Sequence, residues 1–187
     1  AVHDFVTRWV AYDGQALRKD YEVPPQDADA TFARRTGTCD GYVQLMVALG
    51  AKLDIEMTRI LGRSRATGTS ADGFYHSWVG VTIGGQPYLV DPTWDAGSLF
   101  GHEYRPRYST SYLFTPPEIF AYDHLPNDDA WSLTEPPLTE ALFVERPTLS
   151  AHFFAWGLAL EGVTKAVSET TTGRFDFRIR NPKGAWV

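Results

Sequence analysis

Helical spacing of apolar residues is clearest in the stretch that contains the only cysteine among 187 residues, Cys39. Apolar side chains recur there at i, i+3, i+4, i+7 and i+11, the spacing of one buried helix face. They are Tyr42, Leu45, Met46, Leu49 and Leu53. Because turn-forming residues come directly before the cysteine, the pattern predicts a buried helix with Cys39 in its first turn.

Apolar patterns on either side of this helix predict further elements. Residues 1–12 repeat apolar side chains at helical spacing, which is typical of an amphipathic helix. Residues 31–35 predict a short helical segment, and residues 54–61, rich in β-branched and long apolar side chains, predict a strand. Residues 63–73 have no hydrophobic period. We expect them to form a mobile surface loop, a candidate active-site flap.

A two-residue turn signal, Gly84-Gly85, joins two strand-like segments. The segments are residues 74–83 and 86–91. A two-residue turn at the glycines fixes the pairing of the strands and makes His76 and Asp91 diagonal neighbours on one face. Such neighbours lie ~7–8 Å apart at the backbone, within reach for an imidazole and a carboxylate.

The second half of the chain predicts a helix and a β-hairpin. Thr115, Pro116 and Glu118 match the cap, the first position and the third position of a short helix. From residue 157 onward apolar and polar side chains alternate on both sides of a turn at 170–173. We therefore expect a core at 1–110, a helical or irregular extension packed on it at 111–156, and a hairpin at 157–187 that begins a β-sandwich-like domain.

Composition limits the partners of the protein. A net charge of -6 without clustered Lys and Arg argues against nucleic acid and anionic membranes. No run of 18 apolar residues occurs, so we expect no membrane insertion. The chain begins inside a helical pattern at Ala1. The compartment stays open: a cytoplasmic location and, after removal of an export signal, a periplasmic or extracellular one both agree with the sequence.

The position of Cys39 has chemical consequences. Unpaired N–H groups and the positive end of a helix dipole favour a thiolate there, whereas burial and the neighbouring Asp40 oppose it, so we expect a cationic partner. A buried free cysteine is also common as a small hydrophobe. Together, however, Cys39, a strand His76 and an adjoining Asp91 form the nucleophile, base and orienting group of acyl-transfer enzymes.

Three motifs in this order and at this spacing resemble those of the transglutaminase-like superfamily. They are Thr36-Gly37-Thr38-Cys39-Asp40-Gly41-Tyr42, His76-Ser77-Trp78-Val79 and Leu89-Val90-Asp91-Pro92-Thr93-Trp94. The resemblance covers residues 1 to about 100. Residues 112–118 and 124–131 are similar to the extension found in the kyphoscoliosis-peptidase-like branch of that superfamily, in which β-rich domains follow the core.

The resemblance implies an α+β fold with a papain-like core, in which the cysteine helix packs on an antiparallel sheet. It implies Cys39 as nucleophile, His76 as base and then acid, and Asp91 as the orienting carboxylate. The expected substrate is a peptide or protein, attacked at an amide bond through a thioester, with no metal and no cofactor. We expect hydrolysis, because the related branch is named for peptidase activity.

Several alternatives stay open. An amine acceptor would make the protein a crosslinking transglutaminase, and loss of catalysis would leave a binding or scaffold module. The five histidines show no metal-ligand spacing, so a metal site is not expected. The side chains expected to line the cleft are Trp78, Trp94 and Tyr42. The superfamily often takes a second oxyanion donor from upstream of the cysteine, where Trp9 and Gln15 are the candidates.

Overall fold

Apolar residues at helical spacing form the helices of the computed structural model. The structure describes residues 1–66, 68–163, 165–167 and 169–181. Contacts group the chain into a first unit, Ala1–Leu61 with His76–Pro116, and a second, Gly62–Tyr75 with the chain from Pro117 onward. The first unit contains α1 (Val2–Trp9), α2 (Ala28–Arg34), α3 (Cys39–Lys52), α4 (Pro92–Ala96) and a 3₁₀ helix (Gly14–Leu17). Within the described residues, no helix is both long enough and apolar enough to cross a membrane.

The cysteine helix α3 supplies much of the core of the first unit. That core consists of Val6, Val10, Tyr42, Val43, Leu45, Met46, Val79, Val81, Val90 and Ala96. The predicted buried face is confirmed for Tyr42, Leu45 and Met46, and Leu49 packs on the core while partly buried. The prediction for Leu53 is wrong, because α3 ends at Lys52 and the Leu53 side chain is 58% exposed.

The predicted helix at 1–12 is too long, because its last residues join a strand pair. Helix α1 ends at Trp9, and Ala11–Tyr12 (β1) pairs in parallel with Thr36–Gly37 (β2). Two flanking bonds extend the pair: the Ala11 N–H donates to the Arg35 carbonyl at 2.9 Å, and the Asp13 N–H to the Gly37 carbonyl at 2.9 Å. These bonds fix the backbone that leads into Cys39.

A second long-range contact holds the turn before Cys39. The side-chain oxygen of Gln26 accepts the backbone N–H of Thr38 at 2.8 Å and its hydroxyl at 3.1 Å. Gly41 leaves room for this contact, since a Cβ there would lie 2.8 Å from the Gln26 oxygen and 2.8 Å from the Thr31 hydroxyl. Helix α2, which carries Thr31, begins earlier than predicted because Asp27 caps it by accepting the N–H of Ala30.

Three strands that belong largely to the first unit lie in the order β5-β4-β3. They are β3 (Glu56–Ser64), β4 (Phe74–Ile83) and β5 (Gln86–Val90). Strand β3 begins and ends later than the predicted 54–61. The predicted register of the hairpin is confirmed over five pairs, from Val79 with Val90 to Ile83 with Gln86. Gly84 and Gly85 have φ of 59° and 78°, the left-handed values that a tight hairpin turn requires.

The sheet and α3 share one core, which confirms the predicted α+β class with the cysteine helix on an antiparallel sheet. A further antiparallel hairpin follows α4 and consists of β6 (Gly97–Phe100) and β7 (Glu103–Pro106). The sequence did not predict this hairpin, because glycine and charged residues interrupt its apolar alternation.

The second unit contains short elements around a small core. They are α5 (Pro117–Phe120), β8 (His124–Pro126), a 3₁₀ helix (Asp129–Trp131), α6 (Glu140–Glu145), α7 (Ala151–Ala155), β9 (Ala159–Glu161) and β10 (Arg178–Arg180). The end of β3, Gly62–Ser64, pairs with β8 in antiparallel fashion. Helix α5 begins at Pro117 rather than at Pro116, and the Thr115 hydroxyl donates to the Ser111 carbonyl instead of capping it.

The prediction of a mobile surface loop over 63–73 is wrong at its start. Arg63 and Ser64 lie in β3, and Arg65 is fully buried. The Arg65 guanidinium donates to the carbonyls of Tyr122 at 3.0 Å and Pro147 at 3.3 Å. The other described residues up to 73 lie outside helices and strands, and their role as a flap stays a prediction.

The predicted C-terminal hairpin is present in shortened form. Strands β9 and β10 pair antiparallel over three residues each, with Ile179 opposite Leu160. The predicted turn at 170–173 lies between them and is exposed. Residues 182–187 lie outside the described residues. The β-sandwich-like continuation and the domain boundaries at 110 and 156 stay predictions.

Replacing Gly41 with alanine tests the contact that holds the turn before Cys39. Alanine in a helix interior normally stabilises by about 1 kcal/mol relative to glycine. Here the added methyl displaces Gln26 or Thr31, and overpacking of this kind costs about 1–3 kcal/mol. We expect Gly41→Ala to lower the free energy of unfolding by about 1–2 kcal/mol in urea denaturation. The loss should shrink in a Gln26→Ala background, and an equal loss in both backgrounds would contradict the contact.

Candidate active site

Cys39 is the first residue of α3, and Thr38 in extended conformation is its N-cap. The side chain of Thr38 makes no capping hydrogen bond to the helix. The N–H groups of the first turn, which have no partner within the helix, form the positive end of its dipole. The Cys39 side chain is 6% exposed. The sulfur is therefore at the helix start that the sequence predicted, close to the surface of its unit but largely shielded from water.

His76 and Asp91 form a buried pair beside this helix start. His76 lies on β4, and its Nε2 is 2.7 Å from Oδ2 of Asp91, which follows β5. The other carboxylate oxygen of Asp91 accepts the N–H groups of Thr93 at 2.9 Å and Trp94 at 3.1 Å, so that Asp91 caps α4. One oxygen thus holds the imidazole while the other holds a helix, and the carboxylate cannot turn without breaking both contacts.

A hydrogen bond joins His76 to Cys39. Since Nε2 of His76 faces Asp91, the second ring nitrogen, Nδ1, faces the sulfur. The three side chains therefore form one continuous chain of hydrogen bonds from Asp91 through the imidazole to Cys39, inside a single unit.

The electrostatics of this chain favour an ion pair of thiolate and imidazolium. Burial raises the pKa of Cys39, but the hydrogen bond and the charge of His76 lower it, and the pKa is lowered overall. Burial lowers the pKa of His76, but the charge and hydrogen bond of Asp91, with those of Cys39, raise it to about 10. A thiolate is the nucleophilic form of cysteine.

Asp40 opposes the thiolate, and an arginine on a neighbouring strand contacts Asp40. Arg59 on β3 places Nη2 at 2.6 Å and Nε at 3.1 Å from Oδ1 of Asp40. The Ser77 hydroxyl donates to the same oxygen at 2.7 Å and is fully buried. Arg59 thus partly neutralises the charge that raises the pKa of Cys39.

Sequence reasoning missed Arg59 and Ser77 as site residues. The only signal for Arg59 was an arginine inside the predicted strand at 54–61, and the sequence did not indicate which residue it contacts. Ser77 carried no signal beyond its place next to His76. Gln26, which holds the turn before Cys39, lies 13 positions upstream in a loop, and no sequence pattern indicated its role.

The three predicted cleft residues occupy different surroundings. The Trp94 ring is partly exposed, lies 5.6 Å from the His76 ring between centroids, and meets Tyr112 edge-on at 5.2 Å. Trp78 is fully buried, with its ring 6.1 Å from that of His76. Tyr42 is buried in the core of the first unit, where its hydroxyl donates to the Val10 carbonyl at 2.6 Å. Their role in substrate binding stays a prediction.

Neither candidate for the second oxyanion donor is positioned by the observed contacts. The indole N–H of Trp9 donates to the Phe32 carbonyl at 3.0 Å. Gln15 is exposed, and its side-chain oxygen accepts from Arg18 at 3.4 Å. The backbone N–H of Cys39 is therefore the remaining candidate donor, because N–H groups at the start of a helix have no acceptor within the helix.

Fold, motifs and the arrangement of Cys39, His76 and Asp91 define a class of cysteine-dependent acyl-transfer proteins. Residues 1–92 of the 187 match the family model of the transglutaminase-like superfamily, which confirms the resemblance that the motifs predicted.

Relatives extend the similarity beyond residue 92. The chain is 24% identical to the kyphoscoliosis peptidase of Mus musculus and 25% identical to that of Homo sapiens, in each case over 188 residues. Both alignments cover 97% of this chain, which spans 28% of the length of each relative. Hillarin of Drosophila melanogaster is 29% identical over 123 residues, which are 58% of this chain and 15% of that protein. The predicted resemblance to the kyphoscoliosis-peptidase branch is confirmed.

Two solved structures are also similar. One is a putative cysteine protease from Cytophaga hutchinsonii, with a TM-score of 0.39 and 22% identity over 49% of this chain and 29% of that one. The other is a TGase, with a TM-score of 0.41 and 18% identity over 59% of this chain and 29% of that one.

The pH dependence of Cys39 alkylation tests the ion pair. Because the pKa of Cys39 is lowered and that of His76 is raised, the thiolate should persist as pH falls below the ordinary thiol range near ~8.5. The rate of labelling by iodoacetamide should therefore have its midpoint clearly below that of free cysteine. His76→Ala should move the midpoint upward, since the hydrogen bond and the charge that lower the pKa of Cys39 most are then gone, whereas His102→Ala should not. The same midpoint in the wild type and His76→Ala would contradict the pair.

Removal of Arg59 tests the role of the Asp40 contact. In Arg59→Gln the Asp40 charge is less compensated, so the thiolate fraction should fall and labelling at pH 7 should slow roughly threefold or more. Adding Asp40→Asn to this variant should restore the rate, because the opposing charge is then gone. Stopped-flow labelling measures both effects. Unrestored slow labelling in the double variant would mean that Arg59 acts in another way.

Proposed function

We propose that this chain catalyses acyl transfer from amide bonds of peptides or proteins to water, with a thioester on Cys39 as the intermediate. The observation that carries the proposal is the continuous hydrogen-bond chain of Asp91, His76 and Cys39 within one unit. The lowered pKa of Cys39 and the match to the transglutaminase-like superfamily support it.

In the first half-reaction the Cys39 thiolate attacks the carbonyl carbon of the amide. The C–S bond forms while the carbonyl electron pair moves to the oxygen, and the backbone N–H of Cys39 at the start of α3 donates to this oxyanion. The His76 imidazolium then gives its Nδ1 proton to the leaving nitrogen. The C–N bond breaks, the amine departs, and a thioester remains on Cys39 beside a neutral imidazole.

In the second half-reaction a water molecule attacks the thioester. Neutral His76 takes a proton from the water as its oxygen bonds to the carbonyl carbon. The C–S bond breaks, the carboxylic acid product leaves, and the thiolate and imidazolium are regenerated. In both half-reactions Asp91 orients the ring and stabilises its positive form.

The choice of water as acceptor rests on the relatives, two of which are named peptidases. The Cys39, His76 and Asp91 arrangement itself does not select the acceptor, since a primary amine attacking the same thioester would give a crosslink. A binding module without turnover is the third outcome that experiment has to separate.

Cys39→Ala tests the nucleophile. The purified protein is incubated with a peptide library, and cleaved products are identified by mass spectrometry. The variant should not be labelled by iodoacetamide, and its rate of cleavage should be lower by at least about a thousandfold. Without the nucleophile, His76 and Asp91 have no thiolate to assist. Circular dichroism should show an intact fold. Turnover retained by a folded Cys39→Ala protein would refute the assignment.

An acceptor experiment separates the reaction classes. The same library is incubated with a biotinylated primary amine in water enriched in ¹⁸O. Hydrolysis predicts ¹⁸O in the new carboxyl groups, and little biotin attached to peptides. Predominant attachment of the amine would assign a crosslinking activity instead, and rapid labelling of Cys39 with neither product would favour the binding module.

A further inference from the structure

A cavity of about 430 Å³ lies in the first unit. Its walls come from the end of α1, from β1 and from the β6/β7 hairpin, and none of Cys39, His76 and Asp91 lines it. Pockets that bind small molecules or side chains typically have volumes of about 300–1,000 Å³. The cavity is therefore large enough for two or three amino-acid residues of a ligand.

Two arginines give this cavity its chemical character. The guanidinium carbon of Arg8 lies 4.2 Å from the centroid of the Tyr108 ring, and that of Arg35 lies 4.1 Å from the Trp9 ring. All four side chains line the cavity. Each guanidinium carbon thus lies over an aromatic ring, and a guanidinium held in this way has five N–H donors with which it can also bind a ligand.

Neither arginine has an acidic partner in the part of the chain that the structure describes. The acidic residue nearest to Arg8 along α1, Asp4, accepts the hydroxyl of Tyr108 at 2.6 Å and the ring of His3 at 3.2 Å instead. Arg8 itself hydrogen-bonds that Tyr108 hydroxyl. The chain as a whole has a net charge of -6. Two arginines without a carboxylate partner therefore make this cavity positively charged, unlike the chain as a whole.

The remaining wall is apolar or aromatic. Val10, Ala96, Pro106 and the Tyr104 ring contribute to it, and the Tyr104 hydroxyl donates to the Ala96 carbonyl at 2.7 Å. A planar carboxylate matches the paired N–H groups of a guanidinium edge, and stacking on a ring holds that edge in place before a ligand arrives. An apolar side chain next to the carboxylate would cover the rest of the wall.

We propose that this cavity binds a peptide segment that carries a carboxylate next to an apolar side chain, with Arg8 and Arg35 holding the carboxylate. The carboxylate comes either from an acidic side chain or from a chain terminus, which offer the same group to the two guanidiniums. The proposal depends on the cavity alone and stands independently of whether Cys39 reacts.

Isothermal titration with four short probes tests the proposal. N-acetyl-Phe-Glu-amide is compared with its neutral analogue N-acetyl-Phe-Gln-amide, and N-acetyl-Phe-Phe as the free acid with its amide. At least one acid should bind about tenfold or more tightly than its neutral partner, as charge-assisted hydrogen bonds predict. The acid that does so identifies the source of the carboxylate. Repeating the titration on Cys39→Ala excludes turnover as the source of heat.

Variants connect the binding to the two arginines. Arg8→Gln and Arg35→Gln should each weaken binding of the preferred acid about tenfold, with the fold checked by circular dichroism. Arg34→Gln is the matched control: Arg34 precedes Arg35, donates to the Pro25 carbonyl at 2.5 Å and does not line the cavity. Its affinity should be unchanged. Equal affinity for acids and neutral probes, no binding of either acid, or equal losses in Arg34→Gln and Arg35→Gln would overturn the proposal.

Discussion

The Asp91 carboxylate is the constraint on which the rest of the candidate site depends. It is fully buried, and a carboxylate in such a place needs a partner for each oxygen. One oxygen faces His76, and the other accepts two backbone N–H groups of α4. The orientation of the imidazole and the start of a helix are thereby set by the same side chain, and the ring presents its other nitrogen to Cys39.

Opposing electrostatic effects meet at the sulfur. Burial and Asp40 favour the thiol, whereas His76 favours the thiolate, and the pKa of Cys39 is lowered overall. Arg59 and Ser77 reduce the opposition by engaging Asp40. The protein thus keeps an acidic residue directly after its cysteine and compensates for it from two different strands.

Local sequence predicted those parts of the fold that depend on neighbours in the chain. The Gly84-Gly85 turn fixed the register of β4 and β5 and brought His76 towards Asp91, because strand pairing follows from turn length. The position of Cys39 at a helix start followed in the same way. Predicted boundaries were wrong where a segment pairs with a distant part of the chain. The first helix is shorter than predicted because Ala11–Tyr12 (β1) pairs with β2.

The parts that could not be predicted are long-range polar contacts. Nothing local indicates that Gln26 accepts the Thr38 N–H, that Arg59 reaches Asp40, or that Arg65 is buried. The structure also contains a second buried pair, in which Nε2 of His3 lies 3.0 Å from Oδ2 of Asp95. These residues are not joined by a short turn, so the sequence offered no way to predict their pairing. This pair resembles the His76 pair in chemistry but has no cysteine in the described contacts. Sequence patterns alone do not separate the two.

The short parallel pair of β1 and β2 has a mechanical consequence. Ala11 and Arg35 line the arginine-containing cavity, and the Ala11 N–H donates to the Arg35 carbonyl in the same ladder that leads to Cys39. The cavity is therefore lined by a residue four positions from Cys39 in the chain. The end of the first helix and the turn before Cys39 are thus tied together by one short peptide ladder.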